Sequence, residues 1–467
     1  MLEKEAFTLG HFREGTASAL NSMATGKQVP AFFKKLFILQ QRLQQEDEAS
    51  ESIWLIACGK LLLAGINQLA ETNPHWAEIL KLHYVDRLTM RGIAHKLGYD
   101  NRYQVDREQR KAIDQLAAIL MQWEQNARQQ QTAQLLQSLG KEPTYDTLFG
   151  ADEHVARLKE ALLAPDHSWL IAVTGLGGLG KTAVSDQTIR QIIPTFRFQK
   201  ICAIYLESGN LPVANLLAAL ARELGLPTTI QAEAEKQLTH LLKSRPCLIF
   251  IDGFEDDISH LADGLNNLAR PSKFIVTSRH RPLDNNHFFV QPLSALSAPA
   301  AADLIRQHAH KIGRLELANA ANEQIEAIHQ KVGGNPLALK LIVGLSDKHT
   351  VPAILQDLTD LKVEARIEEM YRHIYWRAWH ALSQESQTVL KVMQTPDSAT
   401  GANLAYIASL CPSLTLRDVS AAIEDLINRS LLETHGSAWA KQMRYRIHSL
   451  TKSFLQTEII HYPSDFL

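Results

Sequence analysis

Cysteine is scarce in this 467-residue sequence: Cys58, Cys202, Cys247 and Cys411 stand far apart, and no two form a C-x-x-C pair. That spacing argues against a zinc site and against a disulfide framework. No leader is expected either, because MLEKEAFTLGHFREG carries charges where a signal peptide needs an apolar run. The most apolar stretch, IWLIACGKLLLAGI, is interrupted by Lys60 and is short for a bilayer. A cytoplasmic location with no membrane partner is expected. Charge of one sign is also absent: 48 Lys and Arg face 50 Asp and Glu, a formal net charge of −2. Any basic surface for nucleic acid must therefore be local. No internal repeat with a period of about 20 to 50 residues is found, which argues against a solenoid or propeller.

What the chain does have is the balance of globular protein, 45% hydrophobic and 21% charged residues, over a length that exceeds one ordinary core. Residues 1–75 read as a helical region, with AFFKKLFILQQRLQ and SIWLIACGKLLLAGINQLAE apolar at helical spacing. Residues 76–127 hold three amphipathic pieces, and the glutamine-rich run after them suggests a helix tail entering a polar linker, 128–147. From Trp169 to Leu293 the pattern changes to short apolar runs, WLIAV, ICAIYL, CLIFID, KFIVTS and HFFVQPL, separated by helical stretches. Runs apolar throughout suit strands covered on both faces, so a parallel α/β core is expected at 148–291. Two smaller helical domains follow, a lid at 292–365 and a last domain at 366–467 with late strand candidates LLET and RYRIH. The fold class is multidomain, α/β plus all-α.

GLGGLGKT, Gly175 to Thr182, comes after the first strand run and before an amphipathic helix. It fits G-x-x-x-x-G-K-[ST] in the strand, loop and helix order that a phosphate cradle needs. Gly175, Gly177, Gly178 and Gly180, with Leu179 and Ala183 among the backbone donors, let N–H groups face an anion that side chains would block. Lys181 supplies charge for the β- and γ-phosphates, Thr182 a hydroxyl for Mg²⁺, and the new helix its positive end. A flexible glycine turn would show the same letters, but the partners of a nucleotide site are present as well. CLIFIDGFEDD ends an apolar run in Asp252, the place for a carboxylate on the metal, with Glu255 and Asp256 next to orient the attacking water. SKFIVTSRH delivers Arg279 at the carboxyl end of another strand, where open sheets bind ligands. The catalytic candidates are thus Lys181, Asp252, Glu255, Asp256 and Arg279, with ATP or ADP and Mg²⁺ as cofactors.

In their order, GLGGLGKT, LIFIDGFED, FIVTSR and GGNPLAL resemble the NB-ARC and NACHT branches of the STAND ATPases, switches that include plant disease-resistance proteins, apoptosome cores and bacterial regulators. The resemblance implies a sensor strand between the two nucleotide strands, Arg279 reading the γ-phosphate, and Pro336 near the adenine. It also implies that Phe149, in FGADEHVARL, belongs to the segment lining the base. Gly333, Gly334 and Pro336 equally suit a helix-stopping turn. Gly253 stands where NB-ARC members usually place a second aspartate, and DGFED resembles the NACHT order, so the branch stays open and the water-activating role falls to Glu255 or Asp256. The last hundred residues resemble the winged helix of the class. There His448 would reach the β-phosphate of ADP, although M-H-D has become IHS; a surface histidine is the alternative.

Trp76 to Leu120 resembles the DNA-binding helix-turn-helix at the carboxy end of bacterial sigma factors. LTMRGIAHKLGYD would form the first helix and turn, with Ala94 at the tight contact, and NRYQVDREQRKAIDQL the recognition helix. Arg102, Tyr103, Gln104 and Arg107 would reach base edges, and Arg110 and Lys111 phosphates. Eight Lys and Arg against six Asp and Glu over this stretch make the electrostatic term small, so protein docking remains an alternative. The expected function is an ATP/ADP switch, either a nucleotide-gated transcription regulator on double-stranded DNA or a defence scaffold that oligomerises on ATP and recruits an effector. Members of the class carry a sensor of repeated units, so here sensing is expected from a separate protein or from the amino-terminal helices.

Overall fold

The computed structural model describes residues 8–43, 50–143, 145–206, 212–226, 231–254, 258–265, 270–280, 282, 288–346, 350–360, 367–395, 401–435, 443–447 and 449–455. The chain divides between Gln134 and Leu135 into two compact units.

The first unit is all helix: α1 (Leu9–Thr25), α2 (Ala31–Lys34), α3 (Phe37–Leu43), α4 (Glu51–Thr72), α5 (Pro74–Leu80) running into a π turn, α6 (Met90–Leu97) and α7 (Arg102–Gln137). Phe12, Leu20, Phe33 and Leu39 from the first helices share one apolar core with Leu61, Ile66, Leu116 and Leu120. The two amino-terminal segments expected on either side of residue 75 are therefore one packed body. Glu124 of α7, buried, accepts the N–H groups of Phe37 (2.9 Å) and Ile38 (3.0 Å) at the start of α3 and is paired with Arg128. A carboxylate there satisfies otherwise orphaned helix donors. Helix α4 has 22 residues, with an 18-residue window of mean hydropathy 1.5, enough by length and composition for a membrane span. The short-run reading underestimated it, yet Cys58, Leu61, Leu62, Ile66 and Leu69 bury its inner face in this core. The glutamine-rich stretch is helical as far as Gln137, where the sequence suggests linker from 128.

In the second unit α8 (Asp152–Leu163) leads into β1 (Leu170–Thr174), α9 (Lys181–Ile192), β2 (Lys200–Tyr205), α10 (Val213–Glu223), α11 (Gln231–Ser244), β3 (Cys247–Asp252), α12 (Ile258–Leu265), β4 (Lys273–Ser278) and β5 (Phe288–Pro292). All five strands are parallel, in the order β2-β3-β4-β1-β5. Strand β4 thus lies between the two nucleotide strands, as the resemblance implies. Each strand falls within two residues of its apolar run because both sheet faces are covered. Lys273 enters β4 buried and donates to the carbonyls of Ala161 (2.6 Å) and Ala164 (2.5 Å) at the end of α8; burial, with Arg197 and Arg270 nearby, pushes its ammonium down to about 8.

The lid comprises α13 (Ala298–Lys311), α14 (Leu315–Ala318), α15 (Asn322–Val332), α16 (Pro336–Leu345) and α17 (Val351–Asp360). Beyond it come α18 (Ile367–His380), α19 (Gln384–Val392), α20 (Leu404–Leu410), α21 (Leu416–Asn428), the antiparallel pair β6 (Leu432–His435) and β7 (Arg444–Ile447), and α22 (Ser449–Phe454). Two separate domains were expected here, but Ile305, Leu339 and Ile342 of the lid share a core with Trp379, Leu390, Ile423 and Leu426. Contact is backbone to backbone at one point, where a Cβ on Gly344 would lie 2.7 Å from the Arg429 carbonyl oxygen.

His308 of α13 sits at this joint. Its Nε2 shares a 2.6 Å hydrogen bond with the Ser430 hydroxyl, which donates to the Lys340 carbonyl at 3.3 Å. Burial, then the Lys340 and Lys311 ammonium groups, pushes the imidazole from 6.5 down to about 3. Because the folded site resists a proton that the unfolded chain accepts, the stability from neutral His308 is complete above 6.5 and declines as pH falls from 6.5 toward 3. The slope is at most about 1.4 kcal/mol per pH unit. Melting midpoints measured between pH 7 and 5 are expected to fall less steeply in His308→Gln than in the parent; identical slopes would remove His308 as the titrating group.

Candidate nucleotide-binding site

Strand β1 ends at Thr174, and the chain turns through Gly175 (φ 146°), Gly178 (φ 79°) and Gly180 (φ 87°) into α9. These are backbone regions that L side chains avoid. A Cβ on Gly175 would lie 2.9 Å from the Leu293 carbonyl oxygen, and one on Gly178 2.7 Å from Asn335 Oδ1. Lys181 Nζ folds back over the loop and donates to the carbonyls of Gly175 (2.7 Å) and Leu176 (2.9 Å).

At the carboxyl end of β3, Asp252 Oδ1 accepts two hydroxyl hydrogen bonds, from Thr182 and from Thr277 of β4, both at 2.7 Å. Thr277 Oγ1 itself accepts the Gly253 N–H at 2.8 Å. A hydroxyl beside a carboxylate at the mouth of a glycine cradle suits Mg²⁺, which takes few protein ligands and completes its shell with phosphate and water. Among the described residues no cluster of three His, Cys, Asp or Glu forms an all-protein metal cage. The donor set thus fits a magnesium nucleotide, with Thr182 and Asp252 to hold the ion and Lys181 and the α9 amino end to hold phosphates. When bound, the ion would supply charge neutralisation for phosphoryl transfer.

The lid closes one side of the cradle through Asn335. Its Nδ2 donates to the Gly177 carbonyl at 2.8 Å while its Oδ1 caps α16, accepting from Leu337 N (3.1 Å) and Ala338 N (3.2 Å). Pro336 stands half-buried as the first residue of that helix. A strap before α8 ties core to lid. Tyr145 donates to Asp186 of α9 at 2.7 Å, Lys311 of α13 reaches Asp146 at 2.6 Å, and Phe149 packs on the lid core. Arg190 also holds Asp186 (2.7 Å) and donates to the Lys141 carbonyl (2.6 Å).

Residues 151–308 match the family model described as the NB-ARC domain. The chain carries an NB-ARC domain. Its motifs and sheet order are those of a P-loop α/β core. Over 346 residues the chain is 22% identical to an uncharacterized WD repeat-containing protein of Nostoc sp., covering 65% of this chain and 26% of that protein. Over 340 residues it is 23% identical to the disease resistance protein RPP13 of Arabidopsis thaliana, covering 66% and 40%. A crystal structure of a STAND protein with a tetratricopeptide repeat sensor from Pyrococcus horikoshii matches 68% of this chain and 44% of its own at 15% identity and a TM-score of 0.45. The chain spans less than half the length of each.

Within the NB-ARC domain, Gly253 has a physical reason. Its φ is 83° and a Cβ there would lie 3.2 Å from the Leu206 carbonyl oxygen, so an aspartate at this position would be strained. Arg279 is exposed just past the carboxyl end of β4. Glu255, Asp256 and His448 lie outside the described residues. Four residues escaped the sequence reading. Asn335 was readable in part, since Asn before Pro marks a helix cap, whereas Thr277, Tyr145 and Asp186 carry no local signal.

In the first unit, Thr89 caps α6, Gly98 (φ 72°) ends it, and α7 begins four residues later at Arg102. Ala94 is buried with Ile79, Ile93 and Val105. Arg102, Tyr103, Gln104, Arg107, Arg110 and Lys111 are all exposed, Tyr103 by 69%, and the Arg102 guanidinium lies over the Tyr103 ring at 5.0 Å. Lys111 is paired with Glu108 at 2.8 Å, and Glu108 also accepts from Trp76 Nε1 at 2.8 Å. Gln104 is likewise engaged, bonding to Asp100 across the turn.

Proposed function

We propose that this chain is a nucleotide-dependent signalling switch that rests with ADP, is active with ATP and resets by slow hydrolysis. The observation that carries the reading is the bond from Asn335 to the Gly177 carbonyl, which joins the lid to the phosphate loop itself. A nucleotide that changes the loop changes the lid's footing, and differential contact with two arrangements is what a ligand-driven switch requires. In this scheme Arg279 reads the γ-phosphate, Pro336 lies by the adenine and His448 by the β-phosphate of ADP. The carboxy-terminal helices and hairpin act as a winged helix. Glu255 activates water, with Asp256 as the alternate.

The output in this reading is transcription control, with α6 and α7 as a helix-turn-helix on double-stranded DNA. Support comes from the exposed side chains on the first turns of α7, where Arg102, Tyr103 and Arg107 stand ready for base edges. A second reading is favoured by the Glu108 to Lys111 pair, which removes a cation from the phosphate inventory. In that case the helices dock a protein effector, and ATP drives homo-oligomers. A separate protein supplies the sensor or the effector.

The test is selection of bound DNA from a random duplex pool, with the protein loaded in parallel with ADP and with a non-hydrolysable ATP analogue. A motif enriched in one nucleotide state and lost in Arg102→Ala/Arg107→Ala is expected. Enrichment in neither state, with ATP-dependent growth in particle size, would transfer the assignment to the effector scaffold.

A further inference from the structure

Resting on the nucleotide reading, we infer that Thr277 is a positioning residue for magnesium, acting through Asp252 without touching the ion. The parallel register pairs Ile251 with Val276 and Val173 with Thr277, so Thr277 stands in the central strand beside Asp252 on one side and the lead-in to the glycine loop on the other. It is 1% exposed, and it follows the wholly apolar Phe274, Ile275 and Val276. A buried hydroxyl there costs stability unless its hydrogen bonds are made.

Its proton has only one direction. Because the Gly253 N–H donates to Thr277 Oγ1 at 2.8 Å, the hydroxyl hydrogen goes to Asp252 Oδ1 at 2.7 Å. The Thr182 hydroxyl converges on the same oxygen. Both hydrogen bonds end on Oδ1, which would leave Oδ2 for the cation. Threonine suits the task because its branched Cβ restricts χ1 and holds the hydroxyl in place. Arg279, which the proposed function makes the reader of the terminal phosphate, follows two residues on, just past the carboxyl end of the same strand. Preorganised carboxylates bind cations more tightly than carboxylates that must be ordered on binding.

The experiment titrates the full-length protein with magnesium chloride in the presence of a fluorescent ATP analogue. Magnesium-free affinity for the analogue is measured beside it in EDTA. Thr277→Val is expected to raise the magnesium midpoint about tenfold while leaving the magnesium-free affinity within twofold, and Thr277→Ser to keep most of the parental midpoint. A valine variant with an unchanged midpoint overturns the inference. Equal shifts in valine and serine variants also overturn it, because serine keeps the hydroxyl and its loss could not then be the cause. If the parent binds no analogue with or without magnesium, the nucleotide reading itself has failed, and the inference falls with it.

Discussion

Lys181→Ala is expected to lose at least about a hundredfold in nucleotide affinity, equivalent to roughly 2.7 kcal/mol. Lys181 already lies over the loop, with its ammonium on the Gly175 and Leu176 carbonyls, so phosphate oxygens entering the cradle meet a donor in place. Hydrogen bonds from a charged donor contribute about 1.5–3 kcal/mol each, and an ammonium meeting two phosphates makes more than one. The fold is expected to survive, because the side chain is only partly buried and solvent can replace its bonds to the loop carbonyls. Retention of labelled ATP through gel filtration measures the first effect and the melting midpoint the second. Undiminished retention in a folded variant would sink the phosphate-loop assignment.

Gly334→Ala is expected to destabilise the second unit by about 3 kcal/mol, the sum of a left-handed backbone and overpacking. Its φ is 71°, and an added Cβ would collide with the Leu296 carbonyl oxygen and lie 2.9 Å from His329 Nε2. Those two atoms are themselves hydrogen-bonded at 2.9 Å, and Leu296 N donates to the Gly334 carbonyl at 2.9 Å. Alanine therefore has to break a closed clamp. Gly333 is the control: its φ is 72°, but nothing lies within 4 Å of its Cβ position, so Gly333→Ala is expected to cost only about 1 kcal/mol. Denaturant midpoints of the two variants distinguish the clamp from a simple helix-stopping turn, which would give similar losses for both.

Much of this core is legible in the letters. Strands buried on both faces write themselves as apolar runs, and the glycines, Lys181, Thr182 and Asp252 stand in a pattern whose spacing is dictated by the phosphate chain. Contacts between distant segments are a different matter. Thr277 reads as one more β-branched strand residue, and only the register that sets β4 beside β3 reveals its bond to Asp252. Tyr145 and Asp186 are 41 positions apart, and Glu124 caps a helix that begins 87 positions earlier. Helical periodicity likewise states that one face is apolar, not which neighbour covers it. For that reason the lid and the last helices looked like two domains, and the 76–127 stretch looked separable from the helices before it.

The shared core of the lid and the last segment bears on how a switch of this build can move. Separating them would uncover Leu339, Ile342, Trp379, Ile423 and Leu426, each side chain worth roughly 1.5–3 kcal/mol of burial. A full population swing supplied by a nucleotide amounts to about 5.5 kcal/mol. In the proposed switch that swing is smaller than the cost of splitting the core, so the two parts are expected to travel together. Residues 293–295, which carry no regular structure after β5 and precede the Leu296 clamp, would be the pivot. Turning there would break the bond from Asn335 to Gly177, and the strap at 145–150 would limit the swing. In that reading the device works like a single-leaf door hung beside the phosphate loop, whose leaf is built from the described helices and strands α13 to α22.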